Sequence, residues 1–420
     1  MHISKIQLTN IKCFEEFFLD LEKDGEPVFW TMIVGDNSVG KSCLLESIAI
    51  GLCDEASAAA LMKELSGGLL RKNAPEENNK VSGSIDIDFK THASGHPYSI
   101  NTKITRKPAD APPKLKQSIK DEANFPWENI FICGYGPQRA SDADRSYDEY
   151  DPLAAVYTLF NYEATLQNPE LILRRQPARR RRQWEKKLLR VLMLNEDEFK
   201  VELDEKGMSI VGPWGEQPLW SLSDGYRSTT FWLLDFLAWQ VYFRTSNGKA
   251  SNGRKHFSGV LLIDELEQHL HPRWQRYIIG RLHEQFPKVQ FITTTHSPLV
   301  ALGVTDIPNV KIVSLKRENQ VIFSEEVDPL MLKGMRADQV LTSDIFGVSM
   351  ARSIGDERDI LRFRELYLKD SLNKPEQREF NKLRRIIERD MPEVGETEEE
   401  RKLQKDLKKL LDEIDSKLES

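Results

Sequence analysis

The sequence has few cysteines, and they are not arranged as a disulfide framework. Four cysteines occur in 420 residues, at positions 13, 43, 53 and 133, and none belongs to a CxxC pair. A chain of this length can also bury a large core without covalent cross-links. These features indicate reduced thiols, and we expect a cytoplasmic protein.

A long hydrophobic run is absent as well. The most apolar stretch, residues 229–239, contains Asp235 and is much shorter than the roughly 20 apolar residues that cross a bilayer. The first residues alternate polar and apolar side chains and lack the basic start and apolar body of a secretory signal. We therefore expect no membrane segment.

Positive charge is not in excess. Lys and Arg number 59 against 66 Asp and Glu, which gives a formal net charge of −7. Binding to nucleic acid would therefore depend on a local basic patch. What the chain does contain, 40% hydrophobic and 30% charged residues, is typical of a globular protein with one large domain or a few smaller ones.

Apolar patterning predicts an α/β fold with parallel strands. Strands are predicted at residues 3–8, 14–21, 28–34, 81–106 (a hairpin), 130–133, 259–264 and 289–294, and helices at 41–52 and 228–243. Exposed segments are predicted at residues 106–122 and 244–258.

A change in composition near residue 350 predicts two parts. Residues 1–350 form the predicted main domain, with a mostly helical, basic insert at about 152–200. Residues 351–420 are rich in charge and have helical spacing, so we predict a helical tail with a break at 392–397. The tail is suited to assembly or partner binding, and packing on its own domain is the alternative.

A phosphate-binding motif follows the strand predicted at 28–34. Residues 35–42 match G-x-x-x-x-G-K-[ST] and precede a predicted helix, which is the context that this motif requires. Lys41 supplies a positive charge and the Ser42 hydroxyl can ligate Mg²⁺. A chance Gly-rich turn is the alternative. The residues predicted to bind ATP here are Gly35, Asp36, Asn37, Ser38, Val39, Gly40, Lys41, Ser42 and Cys43.

Two adjacent acids end another apolar segment, as in a Walker B motif. Asp264 is predicted to hold Mg²⁺, and Glu265 to orient and deprotonate the attacking water. Capping of the next helix by both acids is the alternative. His296 ends the next predicted strand and could reach the terminal phosphate, although a structural histidine is possible. Residues 267–271, with two histidines, are interpreted as the turn after Walker B rather than as a transition-metal site.

The segment Leu222-Ser-Asp-Gly-Tyr226 lies before the long predicted helix, between the P-loop and Walker B. With it, the set of motifs resembles the ABC-type ATPase heads of the SMC, RecF and OLD group. Asp224 and Tyr226 depart from the usual LSGGQ signature. The resemblance implies a P-loop ATPase head with a mixed sheet, in which Ser223 and Gly225 complete the nucleotide site of a second head.

The resemblance also implies roles for two further residues. Gln138 falls where a Q-loop residue is expected, which implies contact with the nucleotide, with Mg²⁺ or with the attacking water. Arg139 or the Tyr135–Gly136 turn could instead be the important feature. Lys12, in a segment similar to the N-F-K-x-F turn of SMC-like heads, could lie near the nucleotide or in a surface turn.

Other segments are similar to the PtuA-like ATPases of Septu and retron-linked antiphage systems. These are residues 135–139, 158–160 and 339–347. The resemblance implies a homo-oligomer and an HNH-type nuclease partner (PtuB-like). The acidic pattern of a Toprim nuclease is not found in this sequence, and Asp86 and Asp88 are interpreted as a solvated strand face.

A basic stretch is dense enough to contact the phosphates of DNA or RNA. Its cations are Arg174, Arg175, Arg179, Arg180, Arg181, Arg182, Lys186, Lys187 and Arg190. A solvated helix with Trp184, Leu188, Leu189 and Leu192 facing inward is the alternative.

The main hypothesis is therefore an ATP-hydrolysing head that assembles with itself and controls a nuclease in antiphage defence. One rival is a RecF-like repair ATPase that binds DNA directly. The other is a nucleotide-dependent scaffold with little turnover.

Overall fold

In the computed structural model, residues 1–65, 68–76, 80–91, 97–107, 112–120, 125–142, 144–246, 257–319, 321–346, 354–369 and 373–390 are described. The chain divides into two compact units, Met1–Val348 and Ser349–Ser420. Residues 247–256 of the exposed segment predicted at 244–258, the predicted break at 392–397 and the last predicted helix lie outside the described residues.

The strands are β1 (His2–Ile11), β2 (Phe14–Asp20), β3 (Glu22–Lys23), β4 (Glu26–Pro27), β5 (Trp30–Gly35), β6 (Val81–Lys90), β7 (Pro97–Arg106), β8 (Lys114–Ile119), β9 (Ile132–Tyr135), β10 (Lys200–Asp204), β11 (Gly207–Gly212), β12 (Gly215–Pro218), β13 (Gly259–Ile263), β14 (Val289–Thr294), β15 (Val310–Glu318) and β16 (Val321–Val327).

The α-helices are α1 (Lys41–Leu52), α2 (Glu55–Glu64), α3 (Pro152–Val156), α4 (Pro169–Arg174), α5 (Ala178–Val191), α6 (Asp224–Ser246), α7 (Pro272–Gln275), α8 (Ile278–Gln285), α9 (Pro298–Gly303), α10 (Pro329–Leu332), α11 (Ala337–Leu341), α12 (Ile354–Tyr367) and α13 (Lys374–Asp390). None of the helices in the described part of the chain is long and apolar enough to span a bilayer.

A six-stranded central sheet organises the first unit. Its strand order is β16-β15-β5-β14-β13-β9, with all neighbours parallel except the antiparallel pair β15–β16. Side chains of these strands are buried on both faces: Met32 and Leu261 join the cluster that contains α6, whereas Ile33 and Leu262 join the cluster that contains α1. Burial on both faces explains why these strands have continuous apolar sequences.

A second, antiparallel sheet has the order β2-β1-β6-β7-β8. Its apolar side chains share a buried cluster with α1. Ile85 and Ile87 approach so closely that a Cβ on Gly51 of α1 would lie 2.6 Å from the Ile87 side chain. The helix that starts at the P-loop is thus held between the two sheets, and the predicted α/β fold class with a mixed sheet is confirmed.

Several details differ from the sequence-based expectations. Residues 114–119, predicted as loop, form β8, because their alternating half-buried side chains pair with β7 at the sheet edge. The three-stranded sheet β10-β11-β12 was not predicted. The helix predicted at 228–243 begins at Asp224 and ends at Ser246, so the signature glycine lies inside its first turn.

The second unit contains α12 and α13 among its described residues. Phe363 and Phe380 stack with ring centroids 4.7 Å apart, and Arg362 pairs with Glu379 at 3.0 Å. The two helices therefore pack on each other, as a helical tail requires.

Candidate functional site

Four loops that carry predicted site residues follow neighbouring parallel strands. The P-loop follows β5, His296 follows β14, Asp264 follows β13, and Gln138 follows β9. Since the carboxyl ends of parallel strands meet at one edge of a sheet, the fold brings these loops together there. The sequence analysis had assigned residues of all four loops to one predicted ATP site.

The P-loop backbone needs its glycines. Gly35 (φ 141°) and Gly40 (φ 98°) adopt positive φ values, as does Ser38 (φ 64°). A Cβ on Gly35 would lie 2.4 Å from the Leu315 carbonyl oxygen, and a Cβ on Gly40 would lie 2.4 Å from Cys13 Sγ. The loop is therefore pressed against its neighbours, and glycine is required at both ends.

The Lys41 side chain, at the start of α1, folds back onto this loop. Its Nζ donates hydrogen bonds to the carbonyl oxygens of Gly35 (2.9 Å) and Asp36 (2.8 Å). Burial lowers the pKa of Lys41, while the negative charges of Asp264 and Glu265 oppose that shift. The P-loop cation and the Walker B acids thus belong to one electrostatic cluster.

The remaining P-loop residues flank that cation. Asp36, Asn37 and Ser38 are exposed, Val39 is buried, and Ser42 and Cys43 at the start of α1 are half-buried. The exposed tip and the half-buried Ser42 hydroxyl leave room for a ligand on the loop.

Asp264 is held by a residue that the sequence analysis missed. Thr294 Oγ1 donates a 2.5 Å hydrogen bond to Asp264 Oδ1 and accepts one of 2.8 Å from the Glu265 N–H. Asp264 is buried, so a fixed donor stabilises its charge. The run of threonines at 293–295, at the end of an apolar strand, is the signal that could have identified Thr294.

Glu265 differs from Asp264 in exposure and backbone. It is half-buried and adopts a positive φ of 48°. Burial, followed by the charges of Asp264 and Glu267, raises the pKa of Glu265, and His296 and Lys41 oppose the rise. Glu265 and His296 are therefore close enough to influence each other. The next helix is capped by His271, which contradicts the alternative that Asp264 and Glu265 cap it.

His296 is fixed through its backbone. Its N–H donates a 2.5 Å hydrogen bond to Glu267 Oε1, and the following residue, Ser297, caps α9. Glu267 is therefore a positioning residue for the loop that carries His296, a role that the sequence did not indicate.

Arg139, rather than Gln138, connects β9 to the Walker B segment. Arg139 is buried and donates hydrogen bonds to the carbonyl oxygens of Asp264 (2.6 Å), Glu265 (2.9 Å) and Gly136 (3.1 Å). Burial lowers its pKa to about 10, with Asp264, Glu267 and Glu265 opposing. Gln138 is exposed, so its side chain faces solvent beside this network.

The signature residues lie at the start of α6. Ser223 is exposed, and its carbonyl oxygen accepts the Arg227 N–H in the first turn. Gly225 is buried, and a Cβ there would lie 2.7 Å from the His269 carbonyl oxygen. The signature thus packs on the turn after Walker B and presents Ser223 outward.

Of the two histidines in that turn, His271 has a structural role. His269 adopts a positive φ of 65°, and His271 Nδ1 accepts the Arg273 N–H as the cap of α7. In the described ranges, no group of three or more His, Cys, Asp or Glu side chains could hold a metal ion. The Mg²⁺ site predicted from the sequence, with Ser42 and Asp264 as ligands, is of a different kind, because phosphate oxygens would complete it.

Many cationic side chains of the basic stretch form hydrogen bonds within the chain. The side chains of Arg174, Arg175, Arg180, Lys187 and Arg190 bond to Asp204, Asp148, Gln176, Gln285 and Glu196, respectively. Trp184, Leu188, Leu189 and Leu192 are buried, so the predicted inward face is confirmed. The contact with nucleic acid stays a prediction.

The chain is similar to several known proteins. A family model described as "AAA domain, putative AbiEii toxin, Type IV TA system" matches residues 31–302. The Septu protein PtuA of Bacillus mycoides (strain KBAB4) is 28% identical over 359 residues, which cover 82% of this chain and 45% of that protein. The retron Vc95 probable ATPase of Vibrio cholerae is 36% identical over 107 residues, covering 26% of this chain and 20% of that protein.

A second Septu protein PtuA, from Bacillus thuringiensis, is 26% identical over 186 residues, covering 41% of this chain and 46% of that protein. The chain therefore spans less than half the length of these curated relatives. The resemblance to ATPases of Septu and retron antiphage systems, predicted from the motifs, is confirmed.

Solved structures of SMC heads are also similar. The SMC head domain from Thermotoga maritima matches with a TM-score of 0.45 at 17% identity, covering 78% of this chain and all of that domain (100%). The SmcHead bound to the C-winged helix domain of ScpA matches with a TM-score of 0.48 at 15% identity, covering 78% of this chain and 98% of that one.

Proposed function

This chain belongs to the family described as "AAA domain, putative AbiEii toxin, Type IV TA system", and from that premise we propose that it binds and hydrolyses ATP as an ABC-type head in bacterial antiphage defence. The observation that carries the proposal is the meeting of the P-loop, Asp264, Glu265 and His296 at one edge of the central sheet. A P-loop beside two Walker B acids suits hydrolysis of a nucleoside triphosphate.

The residues present fit Mg²⁺ as the cofactor. Ser42 offers a hydroxyl and Asp264 a buried carboxylate, and oxygen ligands of this kind are those that Mg²⁺ prefers. The Thr294 hydroxyl fixes one Asp264 oxygen and leaves the other to a cation. When bound, Mg²⁺ would neutralise charge on the phosphates.

Each side chain of the site would have its own role in hydrolysis. Lys41 would exchange its two carbonyl partners for phosphate oxygens. Glu265 would orient and deprotonate the attacking water, and a raised pKa makes a carboxylate a stronger base. His296 would contact the terminal phosphate. Arg139 would hold the backbone from which both acids project.

We place the chain in a homo-oligomer that contains at least a head-to-head dimer. Ser223 is exposed at the N-terminus of α6, a helix of 23 residues, and a helix N-terminus attracts anions. In the proposed dimer, Ser223 and Gly225 of one copy would complete the phosphate site of the other.

The regulated partner is proposed to be an HNH-type nuclease. This part rests on the likeness to Septu proteins, of which this chain spans less than half. The Ser349–Ser420 unit is the proposed surface for assembly or for that partner. A tagged chain isolated from its native host supports the proposal if an HNH nuclease copurifies stoichiometrically, and a Toprim nuclease in its place would contradict it.

Phosphate release tests the enzyme assignment. Glu265→Gln should keep ATP binding but lose at least about 100-fold in turnover, since a general base contributes on this order. Glu284→Gln, an exposed carboxyl on α8, is the matched control and should turn over ATP normally. Equal and negligible release by wild type and Glu265→Gln would instead support the nucleotide-dependent scaffold.

Light scattering tests the assembly. Glu265→Gln with ATP and Mg²⁺ should form dimers or larger species, and adding Ser223→Arg should give monomers that still bind ATP. Ser221→Arg, at another exposed serine of the same turn, is the control. Monomers at every concentration in the Glu265→Gln protein would contradict the dimer.

A further inference from the structure

A cationic cavity that contains two thiols lies beside the P-loop. Its volume is about 360 Å³, and we call it the thiol cavity. The charged and thiol residues that line it are Lys12, Cys13, Cys43, Arg71, Lys72 and Arg317. None of the described residues that line this cavity is acidic, so its walls favour an anionic ligand.

Acidic groups nearby offset only part of this charge. Arg71 pairs with Glu15 at 2.6 Å, and Lys12 lies 3.8 Å from Glu46. Arg317 donates to the Ser38 carbonyl oxygen, which carries no net charge. The four cations that line the cavity therefore outnumber the two acids paired with them.

Cys13 and Cys43 interact through their side chains. Their hydrogen bond is the main cause that lowers the pKa of Cys13, and the charges of Arg317 and Lys12 act in the same direction. The same hydrogen bond, followed by burial, raises the pKa of Cys43, so Cys43 is the protonated donor of the pair. Both residues are free cysteines of intermediate exposure. Cys13 thus has the partial exposure, cationic surroundings and hydrogen-bond donor that make a thiol reactive.

The other two cysteines provide a contrast within the same chain. Cys53 and Cys133 are buried, and burial raises the pKa of both thiols. They should be inert under conditions in which Cys13 reacts.

We propose that Cys13 is a modification site for anionic low-molecular-weight disulfides, with Cys43 as the resolving thiol. The Cys13 thiolate attacks one sulfur of the small disulfide, whose S–S bond breaks to release one thiol. In the adduct, Cys13 is no longer a thiolate that holds the Cys43 proton, which removes the main cause that raises the pKa of Cys43. Cys43, which lines the same cavity, then gives its proton to solvent and attacks Cys13 Sγ, forming the Cys13–Cys43 disulfide and releasing the second thiol. The two cysteines are oxidised and the small disulfide is reduced to two thiols.

The consequence for the P-loop follows from contact. Cys13 Sγ lies against Gly40, where a Cβ would approach it to 2.4 Å, and Cys43 sits in the first turn of α1. A bond between the two sulfurs would tie the turn that carries Cys13 to the first turn of α1. Resting on the proposed function, we expect oxidation to weaken ATP binding at least about tenfold and a reductant to restore it.

The test uses the full chain and oxidised glutathione, with mass spectrometry of cysteine peptides. Wild type should gain one Cys13–Cys43 disulfide, Cys43→Ser should accumulate a glutathione adduct on Cys13, and Cys13→Ser should react at least about tenfold more slowly. Cystamine, a cationic disulfide, should react more slowly than oxidised glutathione. The ratio of these two reaction rates should be smaller in Lys72→Gln, because that variant removes one of the cations that line the cavity.

The outcomes separate this inference from the proposed function. Reaction at Cys53 or Cys133 as fast as at Cys13, or a preference for cystamine, would overturn the modification site. ATP affinity that is equal in oxidised and reduced protein would overturn its effect on the P-loop. If Cys13 reacts as expected but the reduced protein binds no ATP, the proposed function fails and the thiol chemistry stands.

Discussion

Arg139 Nη2 donates a 2.6 Å hydrogen bond to the main-chain carbonyl oxygen of Asp264, a residue 125 positions further along the chain. The guanidinium is buried, and it also bonds to the next carbonyl, that of Glu265. A single cation thus fixes the backbone of both Walker B acids without neutralising either carboxylate directly.

Replacing Arg139 should damage activity more than replacing its neighbour Gln138. Arg139→Lys keeps the charge but cannot reproduce the fork of donors, so we expect phosphate release to fall at least about tenfold. Gln138→Ala changes an exposed side chain and is the control. If Gln138→Ala abolishes turnover while Arg139→Lys does not, the Q-loop assignment of Gln138 is right and the role given to Arg139 is wrong.

Thr294 and Thr293 form a matched pair of buried hydroxyls. Thr294→Val removes the hydroxyl that bonds to both Asp264 and the Glu265 N–H, so we expect a loss of about 1–3 kcal/mol in unfolding free energy and a higher Mg²⁺ requirement for turnover. In the described part of the chain Thr293 Oγ1 has no hydrogen-bond partner, so Thr293→Val should be neutral or stabilising. Denaturant unfolding and Mg²⁺ titration measure both effects, and equal behaviour of the two variants would contradict the role of Thr294.

As the pH is lowered, turnover should be lost at a midpoint pH above the pKa of an ordinary glutamate. Burial and the neighbouring acids raise the pKa of Glu265, so its basic form is lost earlier as the pH decreases. A profile of kcat against pH measures this, with ATP affinity followed over the same range as the control. A midpoint at or below the ordinary glutamate value of about 4.3 would contradict the assignment.

Asp235 should make folding stability depend on pH. Its carboxylate accepts bonds from Tyr135 Oη (2.8 Å) and Gln167 Nε2 (2.9 Å), yet burial raises its pKa from 3.8 to about 6. Because the folded state binds the proton more tightly, this group's contribution is present below about pH 4 and is lost as the pH rises through about 6.

The size of that loss is on the order of 3 kcal/mol. The unfolding free energy of wild type should therefore fall relative to that of Asp235→Asn as the pH rises over this window. Asp224→Asn, at an exposed position of the same helix, is the control. A difference that stays constant with pH would show that Asp235 does not titrate in this range.

The sequence predicts the P-loop and its helix accurately because both depend on local information. The helix boundaries Lys41–Leu52 match the prediction, and the positions of the glycines report backbone requirements directly. The long buried strands were also recognisable from continuous apolar runs.

The contacts of Arg139 and Thr294 could not be predicted in the same way. They depend on β9 and β14 lying on either side of β13, and nothing near either residue specifies that order. Strand β8 was missed because the three prolines and several lysines of residues 106–122 are typical of a loop, although the prolines precede the strand and an edge strand tolerates lysines. The short strands β10 to β12 have too few apolar positions to give a clear alternation.

Gly225 leaves no side chain between the start of α6 and the His269 carbonyl oxygen. Two backbones in direct contact have nothing compressible between them that could absorb a small displacement. A rearrangement of the turn that follows β13 would therefore displace the first turn of α6 as well. In the proposed dimer, Ser223 would therefore change position whenever the turn that follows Asp264 and Glu265 changes conformation.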